Sequence, residues 1–197
     1  SVAYGNGVWI AVSTNYSSVA YSTDGINWST STTPTSTSWE AVCYGNGKFV
    51  AVSIADKAVY STDGINWTAS TLPSSGSWYS VCSGNGKYIA IRYNTNIVAY
   101  STDGITWTET TLPSRNSWRS VCYGNDKFVA TVSGSNEVAI STDGINWTII
   151  TDEKTLKTDG TIQTFNAIQG VKVDFEINGE TDITTSNLDS NNRLYFS

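Results

Sequence analysis

The sequence predicts an all-β fold, a β-propeller of four-stranded antiparallel blades, and two observations lead to that prediction. The string STDG occurs four times, at a period of about 40 residues. Each copy divides into four short runs of β-branched and aromatic residues, which Gly, Asn, Asp and Pro separate. Four antiparallel strands in about 40 residues is the period of a propeller blade, in which each sheet packs face to face on the next.

The second copy shows the order of the strands within one repeat. The runs EAVCYG and KFVAVS flank the turn signal NGK, and the runs AVYS and NWTAST flank TDGI. Asn-Gly and Asp-Gly pairs favour the tight turns of β-hairpins, because both tolerate positive φ. No segment has a sustained helical period. We therefore expect propeller repeats over 1–151 that form at least four blades, at about 1–34, 40–73, 79–113 and 119–151. We also expect further repeats upstream.

The repeat ends near residue 151, and residues 152–197 follow a different pattern. The run VKVDFEI alternates apolar and polar residues, as a half-buried strand does. With neighbouring strand-like runs it predicts a small C-terminal β segment. We expect this segment to serve in docking or assembly.

Composition narrows the classes of partner. The formal net charge is -6, and only 11 Lys and Arg residues are present. Nucleic-acid affinity depends largely on such cations displacing counterions, so we expect no nucleic-acid partner. No apolar run approaches the roughly 18 to 20 residues that cross a bilayer, so we expect no membrane insertion.

The three cysteines occupy one slot of the repeat. Cys43, Cys82 and Cys122 align with one another, and Ala3 takes the same slot in the first copy. A position that accepts Ala or Cys is typical of a small buried site. A disulfide or a metal site is the weaker alternative, because neighbouring sheets lie about 10 Å apart.

The string YSTDGINW resembles the Asp-box, or BNR-type, repeat of sialidase-like propellers, although Asp63 is followed directly by Gly64, a spacing one residue shorter. The longer phrase SWEAVCYGNGKFVAVS…AVYSTDGINWT resembles repeats of bacteriophage and prophage tail and tail-fibre proteins. This resemblance covers about residues 1–150. It implies a propeller in a virion tail, or at an extracellular or cell-surface location, with a role in host attachment.

In Asp-box proteins the motif forms the hairpin between the third and fourth strands, on the face away from the ligand. The resemblance implies that each Asp braces its turn by accepting backbone hydrogen bonds and that each Trp packs between blades. A Ca²⁺ site is the weaker alternative, since one carboxylate per turn falls short of the six to eight oxygens that Ca²⁺ takes. The structural positions are Asp24, Trp28, Asp63, Trp67, Asp103, Trp107, Asp143 and Trp147.

Catalysis is not expected. The chain has no His, which removes Ser-His and Cys-His pairs and every His metal site. A sialidase-like site needs an Arg cluster, and the arginines do not recur at the required inner-strand positions. The repeat also places no two carboxylates across a cleft, as glycosidases require. We predict a non-enzyme without cofactor or metal, and a sialidase-like glycan hydrolase ranks third among the functions.

The positions where the copies differ indicate a binding face. Glu40, Tyr79 and Arg119 follow the linker Trp of successive copies, near the expected mouth of the central channel. The linker Trp side chains offer flat surfaces for sugar rings or, alternatively, wedge between blades. The candidate ligand-binding residues are Trp39, Glu40, Trp78, Tyr79, Arg92, Arg115, Trp118 and Arg119.

The leading functional hypothesis is a non-enzymatic recognition component of a phage or prophage tail that binds a bacterial surface glycan or protein. The alternative is a purely structural tail protein. The expected partners are other virion or tail proteins, bacterial surface polysaccharide, and further copies in a homo-oligomer or larger assembly.

Overall fold

The computed structural model describes residues 1–14 and 18–150, and every regular element in them is a β-strand. No helix of this part is long and apolar enough to span a membrane. Blade I contains β1 (Val2–Gly5), β2 (Val8–Val12), β3 (Ser18–Ser22) and β4 (Ser29–Thr32). Blade II contains β5 (Trp39–Gly45), β6 (Lys48–Ser53), β7 (Lys57–Ser61) and β8 (Thr68–Thr71).

The last two blades repeat this arrangement. Blade III contains β9 (Trp78–Gly84), β10 (Lys87–Arg92), β11 (Thr95–Ser101) and β12 (Thr108–Asn116). Blade IV contains β13 (Trp118–Gly124), β14 (Lys127–Val132), β15 (Val138–Ser141) and β16 (Thr148–Ile150). In each four-stranded sheet the strands lie in chain order and pair antiparallel. The predicted propeller of at least four blades is confirmed, and the C-terminal β segment lies outside the described residues.

Two kinds of tight turn connect the strands of a blade. The turn between the first and second strands of blade II has positive φ at Asn46 and Gly47, and the later turn has positive φ at Gly64. Asn and Gly adopt this left-handed region at low cost, which is why the repeat keeps them there. The turn signals read from the sequence therefore lie where the chain reverses.

The apolar core lies between blades rather than within them. The first strands of neighbouring blades lie against one another, so they form the inner wall. One cluster joins Ile10 and Val19 of blade I to Val42 and Phe49 of blade II, and similar clusters fill the next two seams. Because a sheet covered on both faces needs apolar residues on both, the inner strands read as nearly continuous apolar runs.

We keep the label Asp-box turn for the turn at each STDG string, a label that rests on the resemblance alone. In blades II to IV this turn packs on the preceding blade. A Cβ built on Gly64 would lie 2.5 Å from Ile10 Cδ1, and one on Gly144 would lie 2.4 Å from Ile89 Cδ1. The hydroxyl of Ser70 also donates to the carbonyl of Ile105 on the next blade at 2.6 Å. The glycine of the motif is thus required by close packing as well as by its φ.

The loops divide between the two ends of the blades. Asn85 Nδ2 donates to the carbonyl of Thr142 at 3.2 Å, so the turn after the first strand lies beside an Asp-box turn. At the other end, the Tyr93 amide donates to the Ser77 carbonyl at 2.8 Å, which joins the loop after β10 to the linker before β9. The loop after the second strand and the linker before the first strand therefore share the end of the blade that lies opposite the Asp-box turns.

The three cysteines differ in burial from blade to blade. All three thiols are free, and burial raises the pKa of Cys43 and Cys82, which lie in the seams. The prediction that this position is buried in every blade is wrong for Cys122, which is exposed on blade IV. No described blade covers that face, so the same slot that is buried in blades II and III is open there.

Candidate ligand-binding face

The Asp-box carboxylates hold their own turns. In blade II, Asp63 Oδ1 accepts the backbone amides of Ile65 and Asn66, both at 2.8 Å, and the Ser61 hydroxyl at 2.9 Å. Asn66 Nδ2 donates to the second carboxylate oxygen at 2.8 Å. The same bonds to backbone amides recur at Asp24, Asp103 and Asp143. These carboxylates are occupied by the turn, which leaves them poor candidates for chemistry.

These bonds shift the acidity of the carboxyls. The amide of Thr106 is the largest cause that lowers the pKa of Asp103 to about 2. The Asn27 side chain is the largest cause that lowers the pKa of Asp24, and the Asn146 amide is the largest cause that lowers the pKa of Asp143. At Asp63 burial raises the pKa, but the hydrogen bonds outweigh it and the pKa is lowered. A carboxylate that accepts several amide bonds is stabilised in its charged form, so all four stay ionised at neutral pH.

The Asp-box tryptophans pack beside these turns. Trp67 is 9% exposed, and its indole N–H donates to the Gly64 carbonyl at 3.1 Å. Trp107 and Trp147 are similarly buried, whereas Trp28 of blade I is 43% exposed. The three buried rings lie in the seam with the preceding blade. Trp28 is more exposed because no described blade precedes blade I.

At the end of the blades opposite the Asp-box turns, three of the predicted residues occupy equivalent positions in successive blades. The pairing of β5 with β6 runs from Trp39 opposite Ser53 to Ala41 opposite Val52, so Glu40 is an extra residue in the ladder. Tyr79 and Arg119 occupy the same irregularity in blades III and IV. A β-bulge re-aims the extra side chain, and bulges of this kind are frequent beside binding sites.

Blades III and IV bring three side chains together at this end. The rings of Tyr79 and Tyr93 lie with centroids 4.8 Å apart, tilted by 37°. The guanidinium carbon of Arg119 lies 4.4 Å from the Tyr79 centroid and 5.9 Å from that of Tyr93. We call Tyr79, Tyr93 and Arg119 the mouth cluster. A guanidinium held over aromatic rings is oriented by cation–π attraction while its N–H groups remain available.

The positive charge of Arg119 affects the pKa of Glu40. Partial burial raises the pKa of Glu40, and the positive charge of Arg119 opposes that rise. Among the described residues Arg119 makes no salt bridge and no hydrogen bond. A guanidinium carries five N–H donors and no acceptor, so its chemistry suits an acidic or hydroxyl-bearing ligand.

The linker tryptophans are buried. Trp39, Trp78 and Trp118 are each 0% exposed, and the indole N–H of Trp78 donates to the Ser74 carbonyl at 3.1 Å. They belong to the three seam clusters, so their rings wedge between blades. The prediction that the linker tryptophans offer a flat surface to sugar rings is therefore wrong, because none of these rings has a face open to a ligand.

Two predicted arginines lie apart from the mouth cluster. Arg92 pairs opposite Trp78, and its guanidinium packs on Gly76 and lies 3.4 Å from the Ser74 hydroxyl. Arg115 is exposed, and its Nε donates to the carbonyl of Asn94 at 3.3 Å. Arg92 thus contacts the linker before β9 and Arg115 contacts the loop after β10, and among the described residues neither makes a hydrogen bond or ring contact with the mouth cluster.

Tyr93 was missed by the sequence reasoning. It follows Arg92 directly, and its counterpart in blade II is Ile54, which is 42% exposed. The sequence does mark the position of Tyr93 as variable, because the loops after the second strand differ freely among the copies. The pairing of those loops with the linker, through the bond from the Tyr93 amide to Ser77, is a tertiary feature.

A concave surface lies away from the mouth cluster. A groove of about 510 Å³ runs between β4 and the Asp-box turn of blade II, and it is lined by hydroxyl-bearing residues, Ile65 and Trp67. No charged side chain lines it. Within the described residues no three His, Cys, Asp or Glu side chains group as metal ligands would. The mouth cluster is thus the better-equipped site for recognition.

Comparison with known proteins gives similarity in structure only. No protein-family model matches the chain, and no curated protein matches it either. Among solved structures, a streptogramin B lyase is 15% identical with a TM-score of 0.66, over 75% of this chain and 52% of that one. YCF48 bound to a D1 peptide is 16% identical with a TM-score of 0.57, over 76% of this chain and 51% of that one.

A third similar structure is a catalytically inactive histidine-to-alanine variant of virginiamycin B lyase from Staphylococcus aureus with quinupristin. It is 16% identical with a TM-score of 0.67, over 74% of this chain and 52% of that one. The chain thus spans about half the length of the structures it resembles. These are β-propellers with four-stranded blades, and they include both an enzyme and a protein bound to a peptide. At such identities the likeness shows the fold alone: the described chain is a run of four β-propeller blades.

Proposed function

We propose that this chain is a non-enzymatic recognition component of a phage or prophage tail, and that its mouth cluster binds a bacterial surface glycan. The observation that supports this most is Arg119 held 4.4 Å from the ring of Tyr79 with no acceptor among the described residues. The tail assignment rests on the resemblance of the repeats to tail and tail-fibre proteins.

The chemistry of the cluster suits an acidic sugar. Tyrosine rings present rigid apolar faces with little entropy to lose, and a sugar ring packs on such a face. A guanidinium binds a carboxylate in bidentate fashion, which adds direction to the contact. We therefore expect a polysaccharide that carries carboxylates, with the sugar ring on Tyr79 or Tyr93 and the carboxylate on Arg119.

A lyase activity is not proposed. A histidine-to-alanine variant of the similar virginiamycin B lyase is described as catalytically inactive, and this chain has no histidine at all. The Asp-box carboxylates are bound within their own turns, as in blade II. A protein with this fold bound to a D1 peptide supports a binding role in general terms.

The test is binding of the labelled chain to an array of purified bacterial capsular and cell-wall polysaccharides, both acidic and neutral. We expect binding to acidic polysaccharides, and a loss of at least about tenfold with Arg119→Ala or Tyr79→Ala. Lys127→Ala is the matched control, because it removes a cation of the same blade from the turn at the opposite end.

The outcomes separate this proposal from its alternatives. Binding that Arg119→Ala and Tyr79→Ala leave unchanged, in folded variants, would remove the mouth cluster as the site. Absence of binding to every polysaccharide would favour the purely structural tail protein. Release of reducing ends from a bound polysaccharide would return the glycan hydrolase to consideration.

A further inference from the structure

The end of the blades that holds the mouth cluster carries charges of opposite sign. Three successive blades place a different side chain at the β-bulge: Glu40 in blade II, Tyr79 in blade III and Arg119 in blade IV. The first strands of neighbouring blades lie against one another along the inner wall. An acid, an aromatic ring and a base therefore follow one another around the mouth. We call Glu40, Tyr79 and Arg119 the charge arc.

The charge arc is built on regular strands. Each of its residues directly follows a linker tryptophan that is 0% exposed, and these are Trp39, Trp78 and Trp118. Each is also the extra residue of its ladder, and a bulge aims the extra side chain away from the strand pairing. Side chains held by strands and buried neighbours keep their spacing better than side chains on loops. The backbone thus fixes the order of acid, ring and base.

The two charges of the arc do not meet in an ion pair. Arg119 inclines toward blade III, where its guanidinium carbon lies 4.4 Å from the Tyr79 centroid. In the part of the chain that the structure describes, Glu40 and Arg119 form no salt bridge with each other. The charge of Arg119 nevertheless opposes the rise in the pKa of Glu40, so each lies within the electrostatic reach of the other. A ligand that spans the arc meets an acid on one side and a cation on the other.

Apolar surface accompanies both charges. In blade III this surface is the pair of tyrosine rings beside Arg119. In blade II the position of Tyr93 is taken by Ile54, which is 42% exposed. The Ile54 amide donates to the Ser38 carbonyl at 3.3 Å, which places Ile54 at the linker that leads to Glu40. The arc thus offers two neighbouring places for a sugar ring, one beside a cation and one beside an acid.

We propose that the charge arc binds a zwitterionic saccharide, with the carboxylate of one sugar on Arg119 and the ammonium of the adjacent sugar on Glu40. The ring of the carboxylate-bearing sugar packs on Tyr79. This assignment rests on the proposed function, because it names the ligand class of the same site. Both polar contacts are hydrogen bonds between ionised groups, which are stronger than those between neutral groups.

Glu40 is the residue that separates a zwitterionic ligand from a purely acidic one. A polymer with a carboxylate on every sugar would place one of them near Glu40, and like charges repel. An ammonium at that position replaces the repulsion by attraction. Specificity of this kind needs an element that disfavours the wrong ligand as well as one that attracts the right one. Blade II supplies the first element and blade IV supplies the second.

Three oligosaccharides with one backbone test the assignment. The first alternates glucosamine and glucuronate and carries both charges, the second is its N-acetylated form with carboxylates only, and the third is its carboxyl-reduced form with ammonium groups only. Isothermal titration calorimetry with the full 197-residue chain measures each affinity. We expect the zwitterionic form to bind at least about fivefold more tightly than the N-acetylated form, and the carboxyl-reduced form to bind most weakly.

Substitution of Glu40 tests the role of the acid directly. Glu40→Gln keeps the shape of the side chain, and we expect it to weaken binding of the zwitterionic form at least about fivefold without weakening that of the N-acetylated form. Glu40→Lys should reverse the preference, because cations then flank the ring on both sides. Glu109→Gln is the matched control, since it removes the same charge from the outer strand β12 and should change neither affinity. Near-UV circular dichroism checks that each variant is folded.

The outcomes separate this assignment from the function on which it rests. Equal binding of the zwitterionic and N-acetylated forms, with no effect of Glu40→Gln, would overturn the assignment and leave an acidic-glycan site at Arg119 in place. An effect of Glu109→Gln as large as that of Glu40→Gln would also overturn it. Absence of binding by all three forms would overturn it too, and the polysaccharide array then decides separately whether the mouth cluster binds acidic glycans.

Discussion

Arg119 of blade IV lies over the ring of Tyr79 in blade III, with its guanidinium carbon 4.4 Å from the ring centroid. Both residues are the extra residue of a β-bulge that follows a buried linker tryptophan. The bulge turns each side chain out of the ladder, and the packing of the blades then brings the two together. The contact therefore depends on the seam between the blades as well as on the two residues.

We expect Arg119→Ala to raise the pKa of Glu40 further. Partial burial already raises this pKa, and the charge of Arg119 opposes the rise, so removing that charge leaves burial less opposed. An NMR titration of the Glu40 carboxyl carbon measures the change. Arg119→Lys keeps a positive charge and should give a smaller rise, and an unchanged pKa in both variants would contradict the placement of Arg119.

Asp103→Asn is expected to destabilise the fold in a pH-dependent manner. The folded pKa of Asp103 is about 2, below the unfolded value of about 3.9, so its contribution is present above about pH 4. That contribution is lost as pH falls from about 4 to 2. Urea unfolding at a series of pH values should therefore show a difference from the wild type at pH 7 that shrinks toward pH 2. A difference that is constant with pH would contradict this account.

Thr106→Asn is expected to stabilise blade III. The Asn side chains at 27, 66 and 146 donate to the Asp of their own box at 2.7 to 2.8 Å, whereas blade III has Thr at this position. The Thr106 side chain is the weakest of the hydrogen-bonding groups that lower the pKa of Asp103, so a full amide hydrogen bond from Asn should add roughly 0.5 to 1 kcal/mol to the free energy of unfolding. Urea denaturation measures the gain, and Thr106→Ala, which cannot donate, should show none.

Gly84→Val and Gly124→Val form a matched pair that tests the close packing of a tyrosine ring on the glycine that ends the first strand of a blade. A Cβ on Gly84 would lie 2.0 Å from the Tyr123 ring, whereas one on Gly124 would meet nothing. Overpacking of this kind costs about 1 to 3 kcal/mol, so Gly84→Val should lower the free energy of unfolding by that amount. Gly124→Val should leave it nearly unchanged. Equal effects at both positions would contradict the packing of Tyr123 on Gly84.

Trp118→Ala is expected to cost more stability than Trp28→Ala. Trp118 is 0% exposed in the seam between blades III and IV, and removing a fully buried aromatic side chain costs about 3 to 5 kcal/mol. Trp28 is 43% exposed, so its removal forfeits less buried surface. Thermal unfolding of the two variants gives the order, and a reversed order would contradict the assigned seams.

Much of the fold could be predicted because its signals are local. Short runs of β-branched and aromatic residues define the strands, and Asn46, Gly47 and Gly64 mark turns that require positive φ. The role of Asp63 as a turn brace also rests on contacts within three residues. The repeat supplied four independent views of each signal, which is why the strand order within a blade was predictable.

The candidate site was predictable only in part. Glu40, Tyr79 and Arg119 were found because the copies differ there, but the bulge that aims them is a property of the strand pairing. Tyr93 joins the site through a loop that packs beside the linker, and no spacing in the sequence indicates that contact.

By itself, the sequence determined the blades: their strands, their turns and the slots that must hold small or aromatic residues, since each depends on neighbours close along the chain. Only the tertiary structure decided which equivalent slots are covered. Cys43 is buried and Cys122 is exposed, and Tyr44 is seated on Gly5 while Tyr4 is open. The repeat gives such residues the same local signal, and their exposure differs because burial depends on whether another blade packs against that face.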